Sequence, residues 1–112
     1  MLWSLRKESS ALHAFRHSRM FAINLLSSEQ EHLSRRFASS ALADKFAGVG
    51  VRAGRLGLPL IDGCVAHFEC RTQAELEAGD HLILIGKVID FDVVPNRSAL
   101  LFCKGDYQAL PA

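Results

Sequence analysis

Apolar residues recur at every second position in the second half of this sequence, and this period constrains the fold most strongly. Four apolar residues, Cys64, Ala66, Phe68 and Cys70, alternate with largely polar side chains. A period of two places successive side chains on opposite faces of a strand, so the stretch predicts a half-buried antiparallel strand. The polar residues 72–78 that follow are expected to reverse the chain or form a helical turn.

Two further apolar runs predict strands nearer the C-terminus. Residues 82–89 form one run, and Gly86 within it indicates a bulge or a close approach of the backbone to another group. Residues 99–103 form the last strand, between a turn at Pro95-Asn96 and another at residues 104–106. An antiparallel barrel or sheet with helical connections is therefore expected.

The first residues of the chain predict one strand and one helix. Residues 3–5 read as the end of a short strand. Ser9 or Ser10 is expected to cap a brief helix in which Leu12 and Phe15 share a face.

A second strand, a second helix and a loop follow. The apolar residues 21–26 have the length of a buried strand. Ser28 and Glu31 have the spacing of a capping box, and the helix after them is expected to bury Leu33 and Phe37 and to fray near Ser39. Residues 48–63 hold five glycines and one proline, which predicts a long surface loop.

Charge and hydropathy exclude two classes of partner. Thirteen Lys and Arg residues against twelve Asp and Glu residues leave a formal charge of +1, so no overall field attracts nucleic acid or an anionic membrane surface. The longest apolar stretch, residues 82–85, is far shorter than the roughly 20 residues of a membrane-spanning helix. We therefore expect no nucleic-acid partner and no membrane partner.

Cysteines and histidines are the first candidates for chemistry. Cys64, Cys70 and Cys103 form no C-x-x-C pair and no disulfide framework, which favours a reducing, cytoplasmic location. Cys64 and Cys70 are expected to be small buried hydrophobes rather than reactive thiols or metal ligands. His13 and His17 lie one helical turn apart and could share a metal, but no third ligand is near in sequence, so we predict solvent-facing histidines and no metal site.

The start of the chain raises two alternatives. Residues 1–26 are basic and serine-rich with one acid, the profile of an amphipathic organellar presequence, but the apolar run at residues 21–26 favours a folded strand. The predicted strands also fall short of the roughly six to eight that close a small barrel. Either the sheet is completed by dimerisation, or opening strands precede Met1; the absence of a polar leader before Trp3 favours the second.

Sequence motifs for hydrolysis and phosphate binding are absent. The chain has no G-x-S-x-G elbow, no phosphate-binding loop and no dinucleotide fingerprint. Asp80 and His81 follow Gly79 at the start of a strand, where an imidazole at the rim of a cleft could titrate or form hydrogen bonds. A turn aspartate followed by an incidental histidine is the alternative.

A family resemblance is carried by residues in order along the chain. They are Phe21-Ala22-Ile23-Asn24-Leu25-Leu26 with Gln30 and Phe37, then Lys45-Phe46, Pro59-Leu60, Glu69-Cys70, Gly79-Asp80-His81 through Gly86-Lys87-Val88, and Leu100-Leu101-Phe102 with Gly105 and Tyr107. In this order and with these gaps, the sequence resembles the flavin reductase family. These are FMN-binding split-barrel oxidoreductases that include the reductase components of two-component flavin monooxygenases.

The resemblance implies a fold, an activity and a set of partners. It implies a mainly β Greek-key split barrel with short helices, usually a homodimer with flavin near the subunit interface. It implies reduction of FMN, FAD or riboflavin by NADH or NADPH, with a flavin-dependent monooxygenase as a possible partner. Hydride transfer requires no protein nucleophile, so a sparse set of motifs is expected.

The resemblance also assigns site residues. Ser4 and the segment containing Lys7, Ser9 and Ser10 would line the phosphate side of the flavin, where hydroxyl, ammonium and helix N-terminal amide groups are suitable donors. Ala22 and Asn24 would lie where a strand passes the flavin. His81 would face the flavin and the nicotinamide, as a residue that orients a carboxamide or stabilises charge on the reduced ring. Asn24 satisfying a backbone group and Lys7 as a solvated charge are the alternatives.

The resemblance covers nearly the whole chain but not the whole family domain. Residues 1–112 correspond to a single domain comprising the C-terminal two-thirds of that of the family, whose members usually carry earlier strands and a Ser/Thr-rich flavin-contacting stretch before the position of Met1. We expect an NAD(P)H-dependent flavin reductase. A noncatalytic flavin-binding or dimerisation module, or an inactive truncated remnant, is the alternative.

Overall fold

The computed structural model describes residues 1–111, and its secondary structure is mainly β. Within those residues the strands are β1 (Leu2–Arg6), β2 (Met20–Leu25), β3 (Val51–Ala53), β4 (Pro59–Ile61), β5 (Ala66–Ala78), β6 (His81–Val93), β7 (Leu100–Cys103) and β8 (Asp106–Ala109). The helices are α1 (Leu12–Ser18) and α2 (Glu31–Ala38), and a 3₁₀ turn, Ser28–Gln30, directly precedes α2. The prediction of antiparallel strands with two short helical connections is confirmed.

The strands form one larger sheet and two hairpins. Four strands are hydrogen-bonded in the order β1-β6-β5-β2, while β3 pairs with β4 and β7 pairs with β8. A two-residue turn, Gly79 and Asp80, joins β5 to β6. Gly79 has a φ of 61°, a left-handed conformation that glycine adopts without steric cost. The chain divides into two compact units.

Unit 1 comprises Met1–Ile23 and Phe68–Phe91. In it β1 runs antiparallel to β6, with Leu2 opposite Ile85 and Arg6 opposite His81. Its core is built on four buried residues, Phe21, Cys70, Leu82 and Leu84, with Trp3, Leu5, Leu12, Phe15, Ile23 and Phe68 packed against them. Leu12 and Phe15 therefore share the inward face of α1, as predicted.

Gly86 provides a close approach within this core, as its place in the apolar run predicted. A Cβ built on Gly86 would lie 2.6 Å from Cζ of Phe21 and 2.8 Å from Cβ of Cys70. Carbon atoms at van der Waals contact lie about 3.5–4.0 Å apart, so no larger residue fits without movement. The missing side chain lets the Phe21 ring of β2 reach across β5 to the backbone of β6.

Unit 2 comprises Asn24–His67 and the chain from Asp92 onward. Its core consists of Leu33, Ile61 and Cys64, with Leu26, Phe37 and Val49 packed against them. Leu33 and Phe37 form the inward stripe of α2, and α2 ends at Ala38, where fraying was predicted. The β7–β8 hairpin turns at Lys104 and Gly105, both with positive φ. The strand predicted at residues 99–103 and its turn are thus confirmed, but this strand is not the last one, because β8 follows the turn.

The loop predicted over residues 48–63 is wrong in part, because it contains the β3–β4 hairpin. Val51 pairs with Ile61 and Ala53 with Pro59. Leu60 and Ile61 are each only 5% exposed, so β4 belongs to a packed layer and not to a surface loop. Each strand is only three residues long, too short for an alternating pattern to appear among the glycines.

The connection predicted over residues 72–78 is also wrong, because β5 continues to Ala78. Most side chains of residues 72–78 are exposed, so their polarity is tolerated, and pairing with β6 holds this part of the strand. The polar face predicted near residue 67 is solvated only in part. His67 and Glu69 are 3% and 2% exposed, whereas Arg71 on the same face is exposed.

The helix caps differ by a residue or two from those predicted. The capping box is formed by Ser27 and Gln30 instead of Ser28 and Glu31, and Oε1 of Gln30 accepts the N–H of Ser27 at 2.9 Å. The cap residue of α1 is Ala11, and neither Ser9 nor Ser10 occupies that position. Ser9 instead accepts the N–H of Ala11 at 3.2 Å through its hydroxyl group, which stabilises the turn before the helix.

Candidate functional site

Unit 1 brings the end of β1 beside the turn between β5 and β6. Arg6 lies opposite His81 in the ladder, and the N–H of Lys7 donates to the carbonyl of Asp80 at 2.9 Å. Some 75 residues of sequence separate the two segments, yet this backbone pairing fixes one against the other. The side chains that follow β1 and those of the turn therefore lie at one end of the sheet.

His81 is held in one orientation by its neighbour Asp80. Nδ1 of His81 lies 2.8 Å from Oδ1 of Asp80, and the imidazole is 40% exposed. A hydrogen bond from His81, together with the charge of its protonated form, lowers the pKa of Asp80 below the usual 3.8. The ionised carboxylate accepts, so Nδ1 carries a proton, and in the neutral ring Nε2 is then an acceptor. Nε2 makes no hydrogen bond within residues 1–111.

The segment after β1 carries exposed charges and hydroxyl groups. Nζ of Lys7 lies 3.7 Å from Glu77, and Arg6 lies 3.4 Å from Glu8. Exposed ion pairs are worth about 0–1 kcal/mol, so Lys7 can exchange its carboxylate partner for another anion at little cost. Arg6, Glu8 and Ser9 line an open depression of about 210 Å³. Ligand pockets for whole small molecules span about 300–1,000 Å³, so this depression suits a single group such as a phosphate.

Features of other site classes are limited. Within residues 1–111, no three His, Cys, Asp or Glu side chains are arranged to hold a metal ion. The rings of His13 and His17 stack at 5.8 Å between centroids on exposed positions of α1. Over the same residues no helix is long and apolar enough to cross a bilayer.

Comparison with protein families decides which family this is. The model of the flavin reductase-like domain matches residues 1–111. This chain belongs to that family. The sequence resemblance is thus confirmed, and oxidoreductases of this type are the relatives of the chain.

Individual flavin reductases cover most of this chain. A flavin reductase of Pseudomonas putida is 42% identical over 92 residues, which are 82% of this chain and 54% of the relative. The crystal structure of nitrilotriacetate monooxygenase component B from Mycobacterium thermoresistibile is 39% identical with a TM-score of 0.91, over 97% of this chain and 62% of that one. The NADH:FAD oxidoreductase SgcE6 of Streptomyces globisporus, in complex with NAD and FAD fragments, is 34% identical with a TM-score of 0.89, over 96% and 65%.

These similarities confirm the predicted fold class, a mainly β flavin reductase fold with short helices. Over residues 1–111 the strands form one four-stranded sheet and two hairpins. The chain spans between about half and two thirds of the length of these three relatives.

Most flavin reductase site residues predicted from the sequence fall in unit 1. Ser4 lies on β1 opposite Ile83 and is exposed, and Ser10 is exposed in the turn before α1. Ala22 is half-buried on β2. Ser4, Lys7, Ser9, Ser10 and His81 thus share β1, its following turn and the neighbouring end of β6. Their contacts with a flavin remain predictions.

Asn24 is different, because its side chain is bound to the backbone of β4. Oδ1 of Asn24 accepts the N–H of Ile61 at 2.8 Å, and Nδ2 donates to the carbonyl of Pro59 at 3.4 Å. This is the backbone-satisfying role that the sequence left open as an alternative. Asn24 lies in unit 2, and a role beside the flavin stays a prediction.

Two features of the site were missed by the sequence analysis. Arg6 lines the depression next to Ser9, although its only sequence signal was its place in a basic segment. Glu77 is the partner of Lys7, and it was missed because residues 72–78 were not expected to extend β5 to the turn. Locating β5 correctly would have placed Glu77 near the end of β1.

Proposed function

We propose that this chain carries NAD(P)H-dependent flavin reductase activity, with hydride transfer from a nicotinamide to FMN or FAD. The observation that carries the proposal is the backbone pairing of Lys7 with Asp80. It brings the segment of residues 7–10, whose ammonium and hydroxyl groups suit a phosphate, next to the oriented imidazole of His81. Membership of the family supports the same reaction class. NADH is the expected donor, because relatives are named NADH-dependent FMN and FAD reductases.

The residues present suit a flavin phosphate and a nicotinamide. Lys7 would bind the phosphate by giving up its weak pairing with Glu77, with Ser9 and Ser10 as hydroxyl donors and Ser4 on the adjoining strand. Glu8 is an acid in the same depression, and its pairing with Arg6 limits its repulsion of an anion. When bound, the flavin accepts the hydride, so the protein supplies binding and orientation and no nucleophile.

His81 has the role of orienting the reactants. With its Nδ1 proton donated to Asp80, neutral His81 offers Nε2 as an acceptor for the N–H of a nicotinamide carboxamide. In its protonated form it would donate from Nε2 to an atom that carries negative charge on the reduced ring. Asp80 holds the ring in place for both tasks, as a carboxylate that accepts from the second ring nitrogen does for a metal-bound histidine.

Partners follow from the same family. We propose that the full protein supplies reduced flavin to a flavin-dependent monooxygenase, since one relative is named as a monooxygenase component. We also propose a homodimer and a cytoplasmic location. Exposed apolar side chains support association: Leu2 and Phe91 in unit 1 are 65% and 63% exposed, and Phe102 in unit 2 is 63% exposed. Light scattering on the purified protein is expected to give twice the mass of the chain, and a monomer would contradict the proposal.

Flavin binding and NADH oxidation test the function. FMN is added to the purified protein, and quenching of flavin fluorescence and FMN-dependent loss of NADH absorbance are both expected. Quenching without NADH or NADPH oxidation would favour the noncatalytic flavin-binding module. A folded protein that gives neither quenching nor NADH oxidation would contradict the proposed flavin chemistry.

The His81→Ala variant tests the catalytic assignment. It is expected to lower turnover by about tenfold or more, because a hydrogen bond to a charged group is worth about 1.5–3 kcal/mol. Its dissociation constant for FMN should change much less. His32→Ala is the control, because His32 is exposed on α2 in unit 2. Equal turnover in the two variants would remove His81 from the site.

A further inference from the structure

His67 is a buried histidine that the proposed reaction does not use. Its side chain is 4% exposed and lies in unit 2, at the start of β5. Nε2 is 2.7 Å from the carbonyl oxygen of Ile61, and Nδ1 is 2.7 Å from Oδ1 of Asp92. Both ring nitrogens therefore make short contacts with oxygen atoms.

These two contacts restrict where the ring protons are. A backbone carbonyl only accepts hydrogen bonds, so Nε2 carries a proton toward Ile61. An ionised carboxylate also only accepts, so Nδ1 carries a second proton toward Asp92. A neutral imidazole has one N–H group and would turn a lone pair toward one of the two oxygens. The remaining alternative is a neutral carboxyl group on Asp92 that donates to Nδ1.

The surroundings of Asp92 favour its ionised form. Its second oxygen, Oδ2, accepts from the Arg52 guanidinium on β3 at 2.9 Å. Partial burial raises the pKa of Asp92, but the hydrogen bonds and charges of His67 and Arg52 outweigh it and leave the pKa below its usual 3.8. A carboxylate with a donor on each oxygen bridges two cations.

Two further charged groups, Asp62 and Arg97, lie near His67, Asp92 and Arg52. Asp62, which follows β4, lies 4.0 Å from Arg52 and adds negative charge. Arg97 adds positive charge, but its guanidinium donates to the carbonyl of Cys64 at 2.8 Å. The Cys64 thiol beside it is neutral, because burial raises its pKa to about 11. Two carboxylates thus accompany His67 and Arg52, so the Arg52 charge is compensated.

We propose that His67 is a buried imidazolium that ties the carbonyl of β4 to the carboxylate of β6, and that loss of one ring proton opens this tie. Deprotonation at either nitrogen leaves a lone pair facing an oxygen at 2.7 Å, so one of the two contacts must lengthen. Asn24 binds the N–H of the same residue, Ile61, whose carbonyl His67 binds. The tie therefore anchors β4, and it depends on protons at both ring nitrogens of His67.

Nitrogen NMR of the histidine rings tests the charge state directly. The ¹⁵N-labelled protein is measured near pH 7.5, and the His67 signals are assigned by their loss in His67→Gln. Wild-type His67 is expected to show protons on both ring nitrogens. A neutral His67 ring with a single proton at that pH would overturn the proposal.

A pair of aspartate variants makes the test independent of that assignment variant. Asp92→Asn replaces the acceptor with an amide that can donate to Nδ1, so His67 should lose its Nδ1 proton and keep the one on Nε2. Asp90→Asn removes the same charge from β6 at an exposed position, where Asp90 accepts from the N–H of Phe91, and both His67 protons should remain. Identical His67 spectra in the two variants would overturn the tie to Asp92.

Unfolding measured against pH gives a second test. Wild type should have a higher free energy of unfolding than Asp92→Asn at neutral pH. This difference should decrease in acid, because the pKa of Asp92 is lowered in the folded protein and its contribution is lost as the carboxylate is protonated. A stability difference that stays constant as the pH falls through the titration of Asp92 would contradict the tie.

Discussion

Replacing Gly86 by alanine tests the packing that joins β2 to β6 through the core of unit 1. The new Cβ would lie 2.6 Å and 2.7 Å from two ring carbons of Phe21 and 2.8 Å from Cβ of Cys70. Ordinary contact begins near 3.4 Å, so the ring must move by about 0.8 Å. Phe21 is 2% exposed and packs against the ring of Trp3 at 5.8 Å, and Cys70 is fully buried, so neither neighbour has room.

The expected cost is the net of two effects. Overpacking a dense core costs about 1–3 kcal/mol, whereas the change from glycine to alanine restrains the unfolded chain and returns about 0.4–1 kcal/mol. We expect Gly86→Ala to lower the free energy of unfolding by about 1–2 kcal/mol. For a domain of this size, that corresponds to a fall in Tm of roughly 5–10 °C. Urea titration and thermal melts followed by circular dichroism measure both quantities.

Gly50→Ala is the matched control. The φ of Gly50 also lies outside the left-handed region, and its Cβ would also meet an atom at 2.8 Å, but that atom is the end of the flexible Asp62 side chain. Asp62 is exposed and can rotate away, so stability should change by less than about 0.5 kcal/mol. The cost of Gly86→Ala should be smaller in a Phe21→Leu background, because the smaller side chain leaves room for the new Cβ. A Gly86→Ala protein as stable as the control would refute the described core.

Three further predictions concern the phosphate segment, the cysteines and the capping box. Lys7→Gln is expected to weaken FMN binding about tenfold and riboflavin binding little, because only FMN carries the phosphate; fluorescence titration measures both, and equal weakening would contradict the role. In the native protein at pH 8, a thiol reagent should modify Cys103, which is exposed, well before Cys64, whose pKa burial raises to about 11; equal rates by mass spectrometry would contradict this. Gln30→Ala is expected to lower the free energy of unfolding by about 2 kcal/mol, because the Ser27 N–H loses its acceptor and the Asp62 carbonyl loses its donor. A loss as small as that of Gln73→Ala, at an exposed position, would contradict this prediction.

Local patterns along the sequence predicted several elements well. The apolar run at residues 21–26, the stripe of Leu33 and Phe37, and the turn at residues 104–106 depend on neighbours within a few positions, and the structure places each as expected. Gly86 was also informative, because a glycine inside an apolar strand marks the approach of another group. Which group approaches, the ring of Phe21, follows only from tertiary packing.

Elements that depend on distant partners were not predictable. β4 is three residues long and is held by Asn24 and His67, which lie far from it in sequence or on another strand. β5 extends to Ala78 because it pairs with β6, and the polar residues 72–78 give no sign of this pairing. His67 was expected on a polar face because its neighbours alternate, yet its carbonyl and carboxylate partners allow it to be buried.

The sequence supplied candidate residues for the site but not their arrangement. The resemblance supplied Ser4, Lys7 and His81, and backbone pairing then brought Lys7 to Asp80. The sequence alone did not indicate that Asp80 would orient the ring of His81 by hydrogen bonding, because a turn aspartate was an equally good interpretation. The resemblance assigned Asn24 to the flavin, and this role stays a prediction; in the structure its side chain binds the backbone of β4.

Chemical-shift mapping with FMN tests most directly whether the end of β1 and the β5–β6 turn form one binding site. ¹⁵N-labelled protein is titrated with FMN, with the β7–β8 hairpin of unit 2 as the internal reference region. The backbone amides of residues 7–10 and 79–81 are expected to shift together, with one common dissociation constant. Shifts confined to the β7–β8 hairpin, or to only one of the two segments, would contradict the account.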